Sequence, residues 1–412
     1  MDKHISRRSL LRGTLAGAAS LAGGLLTQGN QSGFSSQSAR PSLLPKVRLP
    51  GLASDAGSSG PVTREPSLLR ATADRKGVAL GLNGANVHPY PAMERSFLAN
   101  FNRLAINFHM TAPWISNPIS ALRPSRTDYN FSWLDGQYAW AVAQGVTIHG
   151  AVLVWGPGTG FVPEWVEALG GRAEAEAALK DHVKTVVSRY PEVRVWEVTN
   201  EPWHDQAYAG TRQPNGLIMN RRDLWWEKLG EDYPLIAARA ARDANPKAAL
   251  IINDNFNYYP SRTFDVMYSL SQRMVAEGVL DGVGFQMHMN ALRPQPERSE
   301  MQRAFAAFAN LKGGRFSLHV TECDVNLHAV PGTQQERWAL QADYVYDSLT
   351  AFLDAGGRNF IAFNESDDHS WYSSMPDPYG GPDAEATLFT PDLAPKPAYF
   401  AVREALLRLP SA

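Results

Sequence analysis

The sequence lacks several features that mark common classes of protein. Its 412 residues contain one cysteine, Cys323, which excludes an internal disulfide framework and a cysteine-based zinc cluster. Neither sign of charge is in excess, because 39 Lys and Arg residues are balanced by 41 Asp and Glu residues, and this argues against a nucleic-acid-binding protein. No Gly-x-Ser-x-Gly element occurs, which argues against a serine hydrolase of that type.

The chain does contain enough apolar material for a large packed core. Hydrophobic residues make up 44% of it and charged residues 19%, so wholesale disorder is excluded. Its 11 Trp and 14 Tyr residues are a weak indication of a sugar-binding cleft, where flat rings with a polar edge are common. Large cores use the same residues.

The first 70 residues are predicted to be an export signal followed by a flexible spacer. Within 1–30, Arg7 and Arg8 precede a mild apolar run that is shorter than the roughly 20 residues that span a bilayer. This pattern resembles the bacterial twin-arginine export signal and indicates a periplasmic or secreted protein. Residues 31–70 are rich in Ser, Gly and Pro, as flexible spacers are. The folded domain is predicted to occupy 71–412.

From Lys76 onward, short apolar runs alternate with helical patterns, and such continuous runs suit strands buried on both faces of a parallel sheet. The predicted strands are 77–86, 103–110, 147–155, 195–201, 248–254, 282–288, 316–324 and 358–364. Helices are predicted over 173–188, 223–243, 261–276 and 335–354. Eight β/α units predict an α/β fold, a (β/α)8 TIM barrel with a single catalytic domain. A doubly wound open sheet is the alternative.

Two glutamates lie inside otherwise apolar strand patterns. Glu201 ends Trp-Glu-Val-Thr-Asn-Glu, and Glu322 lies in His-Val-Thr-Glu-Cys-Asp-Val. The carboxyl ends of barrel strands form one face, where active sites lie. Two carboxyl groups across that face suit cleavage of a glycosidic bond, one donating a proton and the other attacking the anomeric carbon. Burial beside Trp196 or Trp203 would raise the pKa of the donor. Two structural carboxylates are the alternative.

Six motifs in order carry a resemblance to a known family. They are WEVTNEPWHD, NDNFN, GVGFQMH, HVTECDVN, SDDHSW and PKPAYFAV. Together they resemble glycoside hydrolase family 10, the endo-β-1,4-xylanase family, from about Lys76 to Leu409. The resemblance implies a retaining hydrolase on a (β/α)8 barrel that acts on a polysaccharide or oligosaccharide. We also expect a monomer without a cofactor, and no metal, because no spaced set of two further ligands accompanies His288.

The resemblance also implies roles for individual residues. Glu201 matches the acid/base of the family and Glu322 its nucleophile. Asn200 matches the residue that bonds the sugar 2-hydroxyl, and His288 the histidine that orients the nucleophile. The remaining substrate-binding or supporting residues are Gln286, Asp324, Trp155, Phe363 and Trp371.

Several positions depart from the family pattern. Where the family carries Thr-x-Glu-Asn-x-Met-Lys, residues 105–111 read Ala-Ile-Asn-Phe-His-Met-Thr, so the charged pair is missing. Ala151 and Gly156 replace two histidines of the third strand and are expected to open space near the reacting ring. Phe363-Asn364 stands where the family has an aromatic residue and Gly.

These departures predict a specificity altered from plain xylan. A substituted sugar, a hexose-containing glycan or a bacterial exopolysaccharide would suit a wider and less charged pocket. The alternative is a non-catalytic carbohydrate-binding protein on a hydrolase barrel.

Three expectations concern structure alone. Strand alternation turns the Cys323 side chain to the face opposite that of Glu322, so its thiol is predicted to be buried and to pack in the core. Pro234 is predicted to kink or divide the helix over 223–243. Thr333 is predicted to cap the last long helix.

Overall fold

The computed structural model describes residues 69–84, 86–112, 121–157, 162–202, 223–255 and 261–412. The predicted export signal and nearly all of the predicted spacer lie outside these ranges. None of the helices within them is long and apolar enough to cross a membrane.

Eight parallel strands close into a barrel in which each strand pairs with the next and the last pairs with the first. The strands are β1 Ala79–Asn83, β2 Arg103–Asn107, β3 Thr147–Ala151, β4 Val195–Asn200, β5 Ala249–Asp254, β6 Gly282–Asn290, β7 Ser317–Asn326 and β8 Asn359–Phe363. The predicted barrel is confirmed, and the open sheet is excluded. β3 ends at Ala151, short of the predicted Trp155, because pairing with β4 then continues only through an isolated bridge from Val154 to Thr199.

Helices surround the barrel. They are α1 Leu69–Arg75, α2 Pro91–Asn100, α3 Ser132–Ala143, α4 Glu164–Glu167, α5 Arg172–Arg189, α6 Leu224–Leu229, α7 Tyr233–Ala244, α8 Arg262–Ala276, α9 Arg298–Ala309, α10 Gln334–Asp354 and α11 Pro397–Leu407. The helix predicted over 223–243 is divided, but the prediction that Pro234 divides it is wrong. The break lies at Gly230, whose φ of 71° suits glycine, and Pro234 lies in the first turn of α7, where proline is tolerated.

The other two structural expectations are confirmed. The Thr333 side chain accepts a hydrogen bond from the backbone N–H of Glu336, whose carboxylate accepts one from the Thr333 N–H, and together they form a capping box for α10. Cys323 is buried within the main apolar cluster of the molecule. Burial raises the pKa of its thiol, which therefore stays protonated and packs as a small apolar group.

A buried histidine ties α5 to the barrel mouth. The Nε2–H group of His182 donates to the carbonyl oxygens of Phe108 and Leu153, at 3.1 and 3.2 Å, just beyond β2 and β3. Burial, with the nearby charge of Arg123, lowers the pKa of His182 to about 3, so the ring is neutral near pH 7. The two chain segments that leave β2 and β3 are thereby held by one side chain.

A buried ion pair fixes the loop that follows β8. The ammonium group of Lys396 lies 3.1 and 3.0 Å from the two carboxylate oxygens of Asp367, and neither side chain is appreciably exposed. The same carboxylate accepts hydrogen bonds from the N–H and the hydroxyl of Thr387. Burial raises the pKa of Asp367 and lowers that of Lys396, so each charge depends on its partner.

Replacing Lys396 by Met should therefore destabilise the fold strongly. The Lys396→Met variant leaves the Asp367 carboxylate buried without a cation, and we expect a loss of about 3–5 kcal/mol in the free energy of unfolding. Urea denaturation followed by tryptophan fluorescence measures this loss. The matched control is Lys184→Met, which removes a half-exposed ion pair with Asp243 and should cost less than about 1 kcal/mol. Equal losses in the two variants would contradict the assignment.

Candidate active site

The two predicted catalytic glutamates lie at the same end of the barrel. Glu201 is the first residue after β4 and is half-buried, and Glu322 lies within β7 with 8% of its surface exposed. Glu201 has a φ of 51°, in the left-handed region that non-glycine residues enter at an energetic cost, mostly at functional sites. Its N–H donates to the carbonyl oxygen of Asn253, at 2.9 Å, which fixes this conformation to the neighbouring β5.

A chain of hydrogen bonds holds Glu322. The Nε2–H of His288 donates to one carboxylate oxygen of Glu322 at 3.1 Å, and its Nδ1–H donates to Asp324 at 2.8 Å. The indole N–H of Trp371 donates to the other carboxylate oxygen of Asp324, at 2.8 Å. The other oxygen of Glu322 accepts from the side-chain amide of Asn253, at 3.3 Å. The predicted nucleophile is thus held from β5 and from β6.

His288 is a cation in this arrangement. Burial alone would lower its pKa, but the charges and hydrogen bonds of Asp324 and Glu322 raise the pKa of His288 to about 10. An unfolded histidine titrates near pH 6.5, as an approximate reference value. The stabilisation from the raised pKa is therefore fully present below pH 6.5 and is lost as the pH rises through about 10.

An irregular register aims these side chains. Phe285 of β6 pairs with Val320 of β7, but Gln286 pairs with Glu322, so β7 carries one extra residue at this point. Bulges of this kind re-aim side chains near active sites. Gln286 then donates from its amide nitrogen to the side-chain oxygen Oδ1 of Asn200, at 2.7 Å. This contact orients the Asn200 amide and leaves its N–H groups as donors for a substrate.

The predicted aromatic residues divide into two groups. Phe363 and Trp371 both contact His288, with ring centroids 5.2 and 5.0 Å from the imidazole. Trp155 lies beyond the end of β3 and meets the ring of His109 edge-on, with centroids 5.6 Å apart. The structure therefore places Phe363 and Trp371 beside the Glu322 network and Trp155 on the β2–β3 side of the mouth.

The departure from the family pattern at Asn364 is explained by its backbone conformation and its hydrogen bonds. Asn364 has a φ of 61°, a conformation that asparagine tolerates better than most residues other than glycine. Its side chain donates to the carbonyl oxygen of Gly84 and accepts from the N–H of Trp371, both at 3.1 Å. Asn364 can therefore stand in a glycine position and at the same time join β8 to β1.

The space expected at Gly156 is already filled. A Cβ atom there would lie 2.7 Å from the indole of Trp225, so the expectation that Gly156 opens the pocket is wrong. Ala151 is fully buried against Ala105 and Ile361, so this position does not border open space either. The remaining difference from the family pattern at the mouth is one of charge. Where the family has a glutamate, this chain has the neutral Asn107, whose side-chain amide donates to the side-chain oxygen of Asn83 at 3.2 Å.

Of the two tryptophans expected beside the proton donor, Trp196 is fully buried and packs against Phe108, with ring centroids 5.0 Å apart. Trp203 lies outside the described residues.

Two further residues lie in the site, of which Glu197 was not identified from the sequence. Asn253, in the motif NDNFN at the end of β5, contacts Glu322. Glu197 belongs to the same motif as Glu201, and its carboxyl lies 2.6 Å from Nε2 of His149, with both side chains fully buried. Burial, with a contribution from the charge of Glu322, raises the pKa of Glu197 well above its usual range, so this carboxyl is protonated.

No group of three or more His, Cys, Asp and Glu side chains in the described ranges is arranged to hold a metal ion.

Similar proteins share this barrel. The chain matches the model of glycosyl hydrolase family 10 over residues 72–405. It is 28% identical over 347 residues to endo-1,4-beta-xylanase B of Thermotoga neapolitana, across 82% of this chain and 91% of that protein. Xylanase 10B of Thermotoga maritima is 26% identical with a TM-score of 0.67, across 82% of this chain and 98% of that one. Xylanase 10B of Thermotoga petrophila RKU-1, solved with xylobiose, is 25% identical with a TM-score of 0.67, across 85% and 99%.

Removing the His288 cation should shift the pH dependence of activity. In His288→Gln the Glu322 carboxylate loses its positive neighbour, so the acid limb of kcat/KM on an aryl β-glycoside should move to higher pH. We expect a fall of about 10- to 100-fold at the optimum, the value of a charge-assisted hydrogen bond. His328→Gln is the matched control, because His328 is also paired with two aspartates but lies outside this network. An unchanged acid limb in His288→Gln would contradict this role.

Proposed function

Since the chain belongs to glycosyl hydrolase family 10, and is therefore a glycoside hydrolase, we propose that it cleaves a polysaccharide with retention of anomeric configuration. The observation that carries this proposal is the chain of hydrogen bonds from Trp371 through Asp324 and His288 to Glu322. A carboxylate held ionised on the catalytic face by a cation on one side and an amide on the other is equipped to act as a nucleophile.

In the first step, Glu322 attacks the anomeric carbon while Glu201 donates its proton to the departing glycosidic oxygen. The bond between sugar and aglycone breaks, and a glycosyl ester of Glu322 forms. His288 stays hydrogen-bonded to the carboxyl group throughout and keeps it oriented. The side-chain oxygen of Asn200 already accepts a hydrogen bond from Gln286, so the side-chain N–H groups of Asn200 are offered to the sugar 2-hydroxyl.

In the second step, Glu201 acts as a base. It takes a proton from a water molecule, the water oxygen attacks the anomeric carbon, and the ester to Glu322 breaks. The sugar leaves with the configuration it had in the substrate, Glu201 is protonated again and Glu322 is a carboxylate again. Each glutamate thus returns to its starting state.

We further propose that the preferred substrate differs from plain xylan. Asn107 and Thr111 stand where the family has a charged pair, and hydrogen bonds to charged groups are worth about 1.5–3 kcal/mol against about 0.5–1.5 for neutral ones. Binding of the sugars on this side therefore rests on neutral contacts. A substituted sugar, a hexose-containing glycan or a bacterial exopolysaccharide suits such a surface.

Two variants test the mechanism. Glu322→Ala should abolish release of sugar from every substrate. Glu201→Ala should be nearly inactive on polysaccharides but should still cleave 2,4-dinitrophenyl β-glycosides, whose leaving group needs no proton. Initial rates on a panel of polysaccharides and aryl glycosides measure both effects, and the matched control is Glu192→Ala, which alters an exposed glutamate.

The same panel distinguishes the alternatives. If the wild-type protein cleaves nothing but binds a glycan equally well with and without Glu322, it is a carbohydrate-binding protein on a hydrolase barrel. If it cleaves plain xylan selectively and as strongly as an ordinary xylanase, the proposed change of specificity is wrong.

We also propose that the chain is exported by the twin-arginine route and acts as a monomer in the periplasm or outside the cell. The support is the Arg7-Arg8 pair before a mild apolar run, and the fact that a polysaccharide does not cross a bilayer. Replacing both arginines by lysine should leave the protein in the cytoplasm, measured by cell fractionation. Unchanged export of that variant would contradict the proposal.

A further inference from the structure

Few large apolar side chains in the described ranges are exposed, and their placement is uneven. They are Tyr90, Val142, Leu292, Tyr379 and Leu407. Val142 and Leu407 lie on the outer helices α3 and α11. The other three lie in loops that follow strands, and these loops form the face of the barrel that carries Glu201 and Glu322.

The chain segments that carry two of these loop residues are both hydrogen-bonded to the last residue of β7. Asn290 and Asn326 are register partners at the ends of β6 and β7. The Asn326 carbonyl accepts from the N–H of Ala291, at 3.0 Å, and the Asn326 amide donates to the carbonyl of Tyr379, at 2.8 Å. Leu292 follows Ala291 directly. The segments of Leu292, 49% exposed, and of Tyr379, 43% exposed, are therefore both joined to one residue on the rim.

The turn that carries Tyr379 is firmly held. The Tyr379 N–H donates to Pro376, and the Gly381 N–H donates to Tyr372, at 2.9 and 3.0 Å. A Cβ atom at Gly380 would lie 2.2 Å from the carbonyl oxygen of Tyr372, so the turn packs closely on the chain below it. A fixed backbone with an exposed ring lowers the ordering cost of binding a ligand.

We infer that Leu292 and Tyr379 form a second sugar-binding position, remote from the bond that is cleaved. This inference rests on the proposed function, because it assigns part of the polysaccharide to this surface. Asn326 lies four residues beyond Glu322 along β7, or about 13 Å at the rise of a strand. An exposed phenolic ring and an exposed aliphatic side chain suit the apolar face of an uncharged pyranose.

Polar groups for the sugar hydroxyls lie alongside. His328, two residues after Asn326, is hydrogen-bonded to Asp377, at 3.1 Å, and Asp377 is 84% exposed at its side chain. Its carboxylate has free capacity to accept hydrogen bonds from hydroxyl groups. The surface thus offers an apolar platform with a polar rim.

The test compares long and short substrates in the double variant Leu292→Ala/Tyr379→Ala. The long substrates are soluble arabinoxylan and soluble mixed-linkage β-glucan, and the short ones are p-nitrophenyl β-xylobioside and p-nitrophenyl β-cellobioside. On the long substrate that the wild type cleaves best, KM should rise about 2- to 12-fold with kcat unchanged, the loss of one ring contact. On the short substrates nothing should change. The single variant Tyr379→Trp keeps a flat ring at this position and should have the wild-type KM on the long substrate. Leu407→Ala is the matched control for an exposed leucine elsewhere.

A second readout needs no turnover. In native gels that contain arabinoxylan or β-glucan, the wild-type protein should be retarded and the double variant should migrate faster. An unchanged KM on long substrates, an equal loss on short ones, or unchanged retardation in the gels would overturn the inference. If the wild-type protein cleaves none of these substrates, that result counts against the proposed function. The retardation in the gels then still decides whether Leu292 and Tyr379 bind a sugar.

Discussion

A buried carboxylate must be kept ionised if it is to attack a sugar, and this constraint organises the catalytic end of the barrel. Glu322 is almost fully buried, where its charge would be costly without a partner. His288 supplies that partner, and it can stay protonated because Asp324 lies on its other side. Trp371 in turn orients Asp324. The loop that carries Trp371 is fixed by Asn364 and by the buried pair of Asp367 with Lys396.

Three buried carboxyl groups in this molecule are handled in three different ways. Glu322 is compensated by a histidine that is itself shared with a second carboxylate. Asp367 is compensated by the ammonium group of Lys396. Glu197 has only a neutral histidine, His149, beside it, and it remains protonated because burial raises its pKa. In these three groups the partner, and not the depth of burial alone, decides whether the carboxyl group is charged.

Much of the fold and the core of the site could be predicted from the sequence. Apolar runs and helical patterns are local signals, so the eight strands, the long helices and the cap at Thr333 followed from them. The resemblance in motif order identified Glu201, Glu322 and His288 by position. Other features depend on contacts between distant segments. Trp225 fills the space beside Gly156, and Asn253 on β5 reaches Glu322 on β7 past the intervening β6. The left-handed backbone of Glu201 has no local signature either, nor do the hydrogen bonds that join the segments of Leu292 and Tyr379 to Asn326.

The central claim is that Glu322 becomes covalently bonded to the sugar. The most direct measurement is mass spectrometry of the protein after treatment with a 2,4-dinitrophenyl 2-deoxy-2-fluoro-β-glycoside, followed by peptide mapping. The fluorine slows the second step, so a glycosyl adduct should accumulate on the peptide that contains Glu322, and on no other. An adduct on Glu201 or another carboxylate, or turnover of the fluorosugar without any adduct, would contradict the account.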